Sequence, residues 1–119
     1  MSHVIHWVLE LEVQEGQLDA FKALVGEMAD ATKADEPGAL IYEWFISDDE
    51  KSVHISERYA DSAAAMVHLG NFSAKFAERF LAALAPVRLM VYGTPSEELR
   101  QALAGLGAMH MSQIGGFAR

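Results

Sequence analysis

The sequence predicts an α+β fold, in which helices cover one face of an antiparallel sheet. Two observations lead to this prediction. Segments with strand-like and helix-like periodicity alternate in the order β-α-β-β-α-β, followed by a C-terminal extension. The connections between them are short, and this order with short connections gives the ferredoxin-like, split-βαβ arrangement. A chain of 119 residues is the size of a single domain, 1–119.

The first strand and the first helix follow from their periodicities. Residues 4–13 (VIHWVLELEV) alternate apolar and polar side chains, which predicts a strand. Apolar residues then recur at helical spacing over about 17–33. The stretch DEPG at 35–38 ends this helix, because Pro37 disfavours helical geometry at the preceding residue and Gly38 permits a turn.

A hairpin follows, formed by the strands ALIYEWFIS and SVHISERY around the polar turn DDEK. Centring the turn between Asp49 and Glu50 places Glu57 opposite Tyr42. One face of the hairpin then carries mostly apolar residues: Tyr42, Trp44, Ile46, Val53, Ile55, Glu57 and Tyr59.

The other face of this hairpin mixes large apolar groups such as Ile41 and Phe45 with charged ones, and Arg58 is placed to pair diagonally with Glu43. A solvated sheet face is expected to be polar. The helices suffice to cover only one face, so the sequence predicts that a second copy of the chain covers the other and that the protein is a homodimer.

The second half begins with a short helix capped by Asp61 and running to about His68. The pair Gly70-Asn71 predicts a break. A further helix starts at Asn71 or Ser73, carries an apolar stripe, and ends at Pro86; the stripe is Phe72, Phe76, Phe80 and Leu84.

The chain continues with VRLMVYG, which predicts a fourth strand. Thr94 and Glu97 have the spacing of a capping box with Pro95 at the first helical position, so a helix is expected over about 95–104. The remaining tail fits one short strand and a glycine-rich end.

Composition excludes several classes of function. The net charge of −8, with scattered basic residues, argues against nucleic-acid and anionic-membrane partners. The absence of cysteine removes disulfides, thiolate metal sites and a Cys nucleophile. No nucleotide-binding, hydrolase or HExxH motif occurs, and no pair of histidines has helical metal-ligand spacing, so no metal site is expected. The N-terminus lacks signal-peptide features, which favours a cytoplasmic location.

Two ionisable residues in apolar surroundings are candidates for catalysis. Glu57 lies on the apolar face of the hairpin, where a carboxylate needs a hydrogen bond or a raised pKa. The residue pattern alone favours the other explanation, a structural cross-strand pair with Tyr42. His68 lies in the apolar run AAAMVHLGNF. Its imidazole suits proton abstraction near neutrality, but a histidine there is also compatible with ordinary packing.

The stretches EPGALIYEWF, ISERYADSAAAMVHLGNFSAKF and LAPVRLMVYG resemble the antibiotic biosynthesis monooxygenase family. The similarity covers about residues 3–93, and the segment 94–119 extends beyond it. The resemblance implies a dimeric α/β barrel built from two ferredoxin-like subunits. It also implies oxygenation of electron-rich aromatics such as quinols and anthrones, with dioxygen and no cofactor.

Carried over to this sequence, the resemblance makes His68 the base or hydrogen-bond partner, with Glu57 orienting polar groups. The pocket is expected to involve Tyr42, Trp44, Tyr59, Asn71, Phe72 and Phe76. Haem-degrading oxygenases share the fold, but their haem-ligating histidine is missing from the corresponding stretch KFAERF. Small isomerases share it too, and a dimeric barrel that only binds a small hydrophobic metabolite remains an alternative.

Overall fold

The computed structural model describes residues 3–119. Its elements are, in order, β1 (Ile5–Val13), α1 (Leu18–Asp35), β2 (Ala39–Ile46), β3 (Ser52–Tyr59), α2 (Ser62–Lys75), α3 (Ala77–Ala83), β4 (Leu84–Tyr92), α4 (Glu97–Ala104) and β5 (Ala108–Met111). The strands form one sheet in the order β2-β3-β1-β4-β5, in which only β4 and β5 are parallel. The predicted α+β class and the split-βαβ order are confirmed, and β5 makes the sheet mixed.

The predicted hairpin register is also confirmed. Tyr42 pairs with Glu57 and Trp44 pairs with Ile55, so the apolar face of the hairpin points towards the helices. In β1, Trp7 lies beside Glu57 on the same face. The alternation of apolar and polar residues and the position of the turn together fix this register, because a slip by one residue would turn the apolar side chains to solvent.

The predicted break at Gly70-Asn71 is wrong, because α2 continues through both residues to Lys75. Gly70 is exposed, so it costs the helix only its weak propensity, and tertiary packing overrides that cost. Asp61 caps α2 as predicted, accepting a hydrogen bond from the Ala64 amide at 2.8 Å. The chain departs from helical geometry at Phe76, between α2 and α3.

Pro86 does not end a helix; α3 stops at Ala83 and Pro86 lies within β4. A strand tolerates this proline because β5 pairs with β4 only from Leu89 onwards and the register against β1 shifts at Leu11. The cap of α4 is Ser96, whose hydroxyl accepts from the Leu99 amide at 3.2 Å. The predicted start at residue 95 is therefore two residues early.

Two hydrophobic clusters hold the helices on the sheet. One packs α1 and α3 against the sheet and includes Leu24, Met28 and Phe80. The other packs α2 and α4 against it and includes Trp7 and Leu103. A cavity lies between the two clusters and is lined by members of both. None of the helices within residues 3–119 combines the length and the apolar character that a membrane crossing needs.

Two glycines give opposite expectations for stability. Gly38 packs against α2 so closely that an added Cβ would lie 2.5 Å from the Cβ of Ala64. Gly26 is exposed inside α1, and an added Cβ would meet nothing within 4 Å. We expect Gly38→Ala to lower the free energy of unfolding by about 1–3 kcal/mol. Gly26→Ala should raise it by about 0.5–1 kcal/mol.

Urea denaturation of the two variants against the wild type measures both effects. The variants introduce the same methyl group, so composition is matched and only the local space differs. Equal changes in the two midpoints would contradict the close approach of Gly38 to α2.

Candidate functional site

A cavity of about 330 Å³ lies between the helices and the sheet, a size typical of small-molecule sites. Its wall is almost entirely apolar and aromatic, and its charged or titratable members are Tyr42, Glu57 and His68. The other residues of the wall are Trp7, Leu9, Met28, Ile55, Leu69, Phe72, Phe80, Leu81, Pro86, Leu89, Leu103, Gly105 and Leu106. The cavity therefore suits an apolar molecule with one polar group, which would contact these three residues.

A chain of hydrogen bonds joins three buried charged residues at the polar end of the cavity. Nδ1 of His68 is 2.8 Å from Oε1 of Glu36, and Nε2 of His68 is 3.2 Å from Oε1 of Glu57. The three residues are only 4–6% exposed. The Tyr59 hydroxyl donates to the same oxygen of Glu57 at 2.6 Å. Within the described residues, both hydrogen bonds that Glu57 accepts end on Oε1, which leaves Oε2 for a ligand.

One strand and two helices bring this chain of hydrogen bonds together. Glu57 points inward from β3, and Glu36 is the residue that ends α1. His68 and Asn71 lie three residues apart in α2, so they share one side of the helix. Asn71 Nδ2 donates to Oε2 of Glu36 at 3.2 Å, and His68 contacts its Oε1. Both oxygens of Glu36 are therefore held by α2.

The two carboxylates decide the protonation of His68. Burial on its own lowers the pKa of the imidazole, but the hydrogen bonds and negative charges of Glu57 and Glu36 outweigh burial, so that the pKa is raised. A protonated His68 donates through both nitrogens, which matches a carboxylate at each. The unit then consists of one cation between two carboxylates and is an acid–base group shielded from water.

Two tyrosines complete the polar end of the cavity. Burial raises the pKa of Tyr42 and of Tyr59 far above the ordinary phenol value, and the charge of Glu57 adds to both shifts. Both hydroxyls therefore stay protonated at any physiological pH. Tyr59 uses its proton to hold Glu57, and the ring of Tyr42 packs edge-on to His68 with centroids 5.2 Å apart.

The sequence-predicted site residues fall into two groups. Tyr42, Glu57, His68 and Phe72 line the cavity. The remaining four do not line it but surround it: Trp44 stacks edge-on against Tyr42, Tyr59 holds Glu57, Asn71 holds Glu36, and Phe76 packs on the first hydrophobic cluster. The proposed structural pair of Glu57 with Tyr42 is a register pair, but the hydrogen bonds of Glu57 go to Tyr59 and His68.

Glu36 is the member of the site that sequence analysis missed. The sequence pattern marks it only as part of the helix-ending Glu-Pro-Gly. A usable signal is present, because a carboxylate at the C-terminal end of a helix faces the negative end of the helix dipole. Such a residue needs a compensating cation nearby, and the structure supplies His68.

Comparisons with known proteins agree with the fold. The structure of MupZ from Pseudomonas fluorescens matches with a TM-score of 0.86 and 28% identity, covering 99% of this chain and 96% of that one. A protein of Caulobacter crescentus CB15, described provisionally as an antibiotic biosynthesis monooxygenase, matches with a TM-score of 0.68 and 28% identity, covering 80% and 92%.

SnoaB from Streptomyces nogalater, described as a cofactor-independent oxygenase, has the same fold. Its TM-score is 0.66 at 16% identity, with 80% of this chain and 96% of that one covered. Comparison with curated protein sequences gives no significant match. The family model for antibiotic biosynthesis monooxygenases matches residues 4–83, two thirds of the chain and all elements from β1 to α3. The chain therefore belongs to the antibiotic biosynthesis monooxygenase family.

Proposed function

We propose that the protein is a cofactor-independent monooxygenase that oxidises a small electron-rich aromatic of the quinol or anthrone type with dioxygen. One observation carries this proposal. A buried carboxylate, Glu57, lines an apolar cavity and is held through one oxygen by His68 and Tyr59, with its other oxygen left for the substrate. Deprotonation is the step that lets such an aromatic give electrons to dioxygen.

In the proposed mechanism Glu57 takes the acidic proton of the bound substrate. His68 holds Glu57 through Nε2, and Glu36 keeps His68 in place through Nδ1. The deprotonated ring carbon adds dioxygen to form a hydroperoxide, which receives a proton from Glu57. Loss of water then leaves a carbonyl on the ring, so one oxygen atom enters the product and the other leaves as water. The apolar wall excludes water from these steps.

The arrangement of His68 also bears on the haem-oxygenase alternative. A haem-ligating histidine needs a free ring nitrogen, and both nitrogens of His68 contact carboxylates. This disfavours His68 as an iron ligand. SnoaB shows that a protein of this fold can act as a cofactor-independent oxygenase.

A second candidate is a redox-neutral proton transfer, such as an isomerisation. The observation that favours it is that Glu36, Glu57 and His68 form a single connected acid–base unit. Such a unit can remove a proton from one atom and return it to another. Incubation of candidate ketones and enols with the protein in D₂O without oxygen, followed by mass spectrometry, would detect this reaction as protein-dependent deuterium incorporation.

Oxygen consumption tests the leading proposal. With a panel of hydroquinones and anthrones, we expect protein-dependent uptake for at least one compound and at least about a 100-fold slower rate in His68→Ala. The matched control is His3→Ala, which removes an exposed histidine ahead of β1. Unchanged uptake in His68→Ala would show that His68 has no part in catalysis. Binding of these compounds without any turnover would favour the alternative of a metabolite-binding barrel.

We also propose that the protein is a homodimer joined through the outer face of its sheet. This face carries the exposed Phe45 and, near the other edge, Met109 and Met111. The side-chain Nε of Arg58 on this face is buried without a hydrogen-bond partner. A soluble single chain has little reason to expose such groups together, and a second sheet would cover them.

Phe45→Glu should convert the dimer into a monomer, because it places a charge in a face that the partner sheet would cover. Light scattering coupled to gel filtration measures the mass directly. Val67→Glu changes a similarly exposed residue on α2, away from the outer face of the sheet; it is the control and should leave the dimer intact. A monomeric wild type would refute this part of the proposal.

A further inference from the structure

We propose that the turn after α4, centred on Leu106, forms the outer wall of the cavity and selects substrates that carry an apolar chain on the aromatic ring. This inference rests on the proposed function, since it assigns the cavity to the substrate. It gives a role to the C-terminal segment, which lies outside the part matched by the family model at residues 4–83.

The cavity has a closed polar end and an open apolar end. Its lining residues at the closed end, Glu57, His68 and Ile55, are buried. At the open end, Leu81 is 53% exposed and Leu106 is 59% exposed, and Pro86 is a third exposed residue of the wall. A substrate whose polar group reaches Glu57 therefore leaves the cavity between leucines.

The distance between the two ends is long enough for a side chain on the substrate. Glu57 lies opposite Trp7 of β1, whereas Pro86 lies opposite Leu11 of the same strand. Four residues along a strand span about 13 Å. A single aromatic ring at Glu57 would not reach the open end of the cavity. The apolar wall between Glu57 and the open end is therefore available to a chain attached to the ring.

The turn is held firmly enough to act as a wall. Leu99 and Leu103 of α4 are completely buried. The Ser96 amide donates to the Ser62 hydroxyl at 2.9 Å, which fixes the start of α4 to the start of α2. β5 then pairs with β4, so α4 is the crossover helix of a βαβ unit and the turn is anchored on both sides.

The segment lies outside the part of the fold that the family model describes. The match with MupZ covers 99% of the chain and therefore includes α4 and β5, whereas the family model ends at residue 83. A wall outside the part matched by the family model is suited to setting specificity rather than to the reaction itself.

Binding of 4-alkylphenols tests the inference without requiring turnover. The phenol hydroxyl mimics the reacting group, and the series from 4-ethylphenol to 4-hexylphenol lengthens the apolar chain. Trp7 lines the cavity, so tryptophan fluorescence reports binding. Calorimetry measures the same affinities independently. In the wild type we expect the affinity to rise by about fourfold per methylene, the value for full burial of the group.

Leu106→Ala should weaken the binding of 4-hexylphenol by about five- to tenfold and change the affinity for 4-ethylphenol by less than about twofold. Leu106 is exposed, so the variant is expected to fold. The control Leu40→Ala removes a leucine of similar exposure that does not line the cavity, and should leave the whole series unchanged. An equal effect on short and long phenols, no effect of Leu106→Ala, or no dependence of wild-type affinity on chain length would each overturn the inference. Length-dependent binding without oxygen uptake would reject the proposed oxygenation alone.

Discussion

Glu57→Gln is expected to lower kcat of the proposed oxygenation by a factor of about 10²–10⁴, the range for loss of a general base. The amide has nearly the same shape and can still accept hydrogen bonds from Tyr59 and His68, but it cannot take a proton. Because the cavity keeps its shape, KM should change little. Steady-state oxygen uptake with the best substrate of the panel measures both constants.

The control for this variant is Glu43→Gln. Glu43 is on the neighbouring strand, on the outer face of the sheet, and is exposed. The Glu43→Gln substitution removes the same charge from the same hairpin without changing the cavity. If Glu57→Gln keeps more than a tenth of the wild-type kcat, Glu57 is not the base. A rise in KM alone would instead indicate that Glu57 only binds the substrate.

The sheet is predictable from sequence because its signals are local. Alternation in residues 4–13 and the polar turn between β2 and β3 define the strands, and the position of the turn sets the pairing of Tyr42 with Glu57. The amino-acid pattern alone therefore identifies Glu57 as a carboxylate on an apolar face. The period of two leaves two possible facings, of which only one buries the apolar side chains, and the position of the turn excludes a slip by two residues.

The helices are less predictable because tertiary contacts override their local signals. Gly70 and Asn71 have the composition of a break, yet α2 runs through them, and Asn71 is used to hold Glu36. The contact between Glu36 and His68 joins residues 32 positions apart. No periodicity encodes such a contact; only the docking of the end of α1 against α2 creates it.

His68→Leu is expected to lower the free energy of unfolding by about 3–5 kcal/mol at neutral pH, the usual cost of removing one partner of a buried ion pair. The volume is nearly conserved, so the loss comes from leaving Glu36 and Glu57 buried without their cation. Urea denaturation followed by circular dichroism measures it. The control His3→Leu removes an exposed histidine ahead of β1 and should cost less than about 1 kcal/mol.

The pH dependence of this loss identifies the charge of His68 as its cause. The pKa of His68 is raised in the folded protein above the unfolded value of 6.5. Its contribution to stability is therefore complete below pH 6.5 and is lost as the pH rises through the folded pKa. The wild type should lose stability over this range, and His68→Leu should lack that part of the slope. If the difference between the two proteins stays constant from about pH 6 to pH 9, then the pKa of His68 is the same in the folded and the unfolded protein and its loss acts through packing. In that case the charge of His68 does not stabilise the fold, and the arrangement of one cation between two carboxylates loses its support.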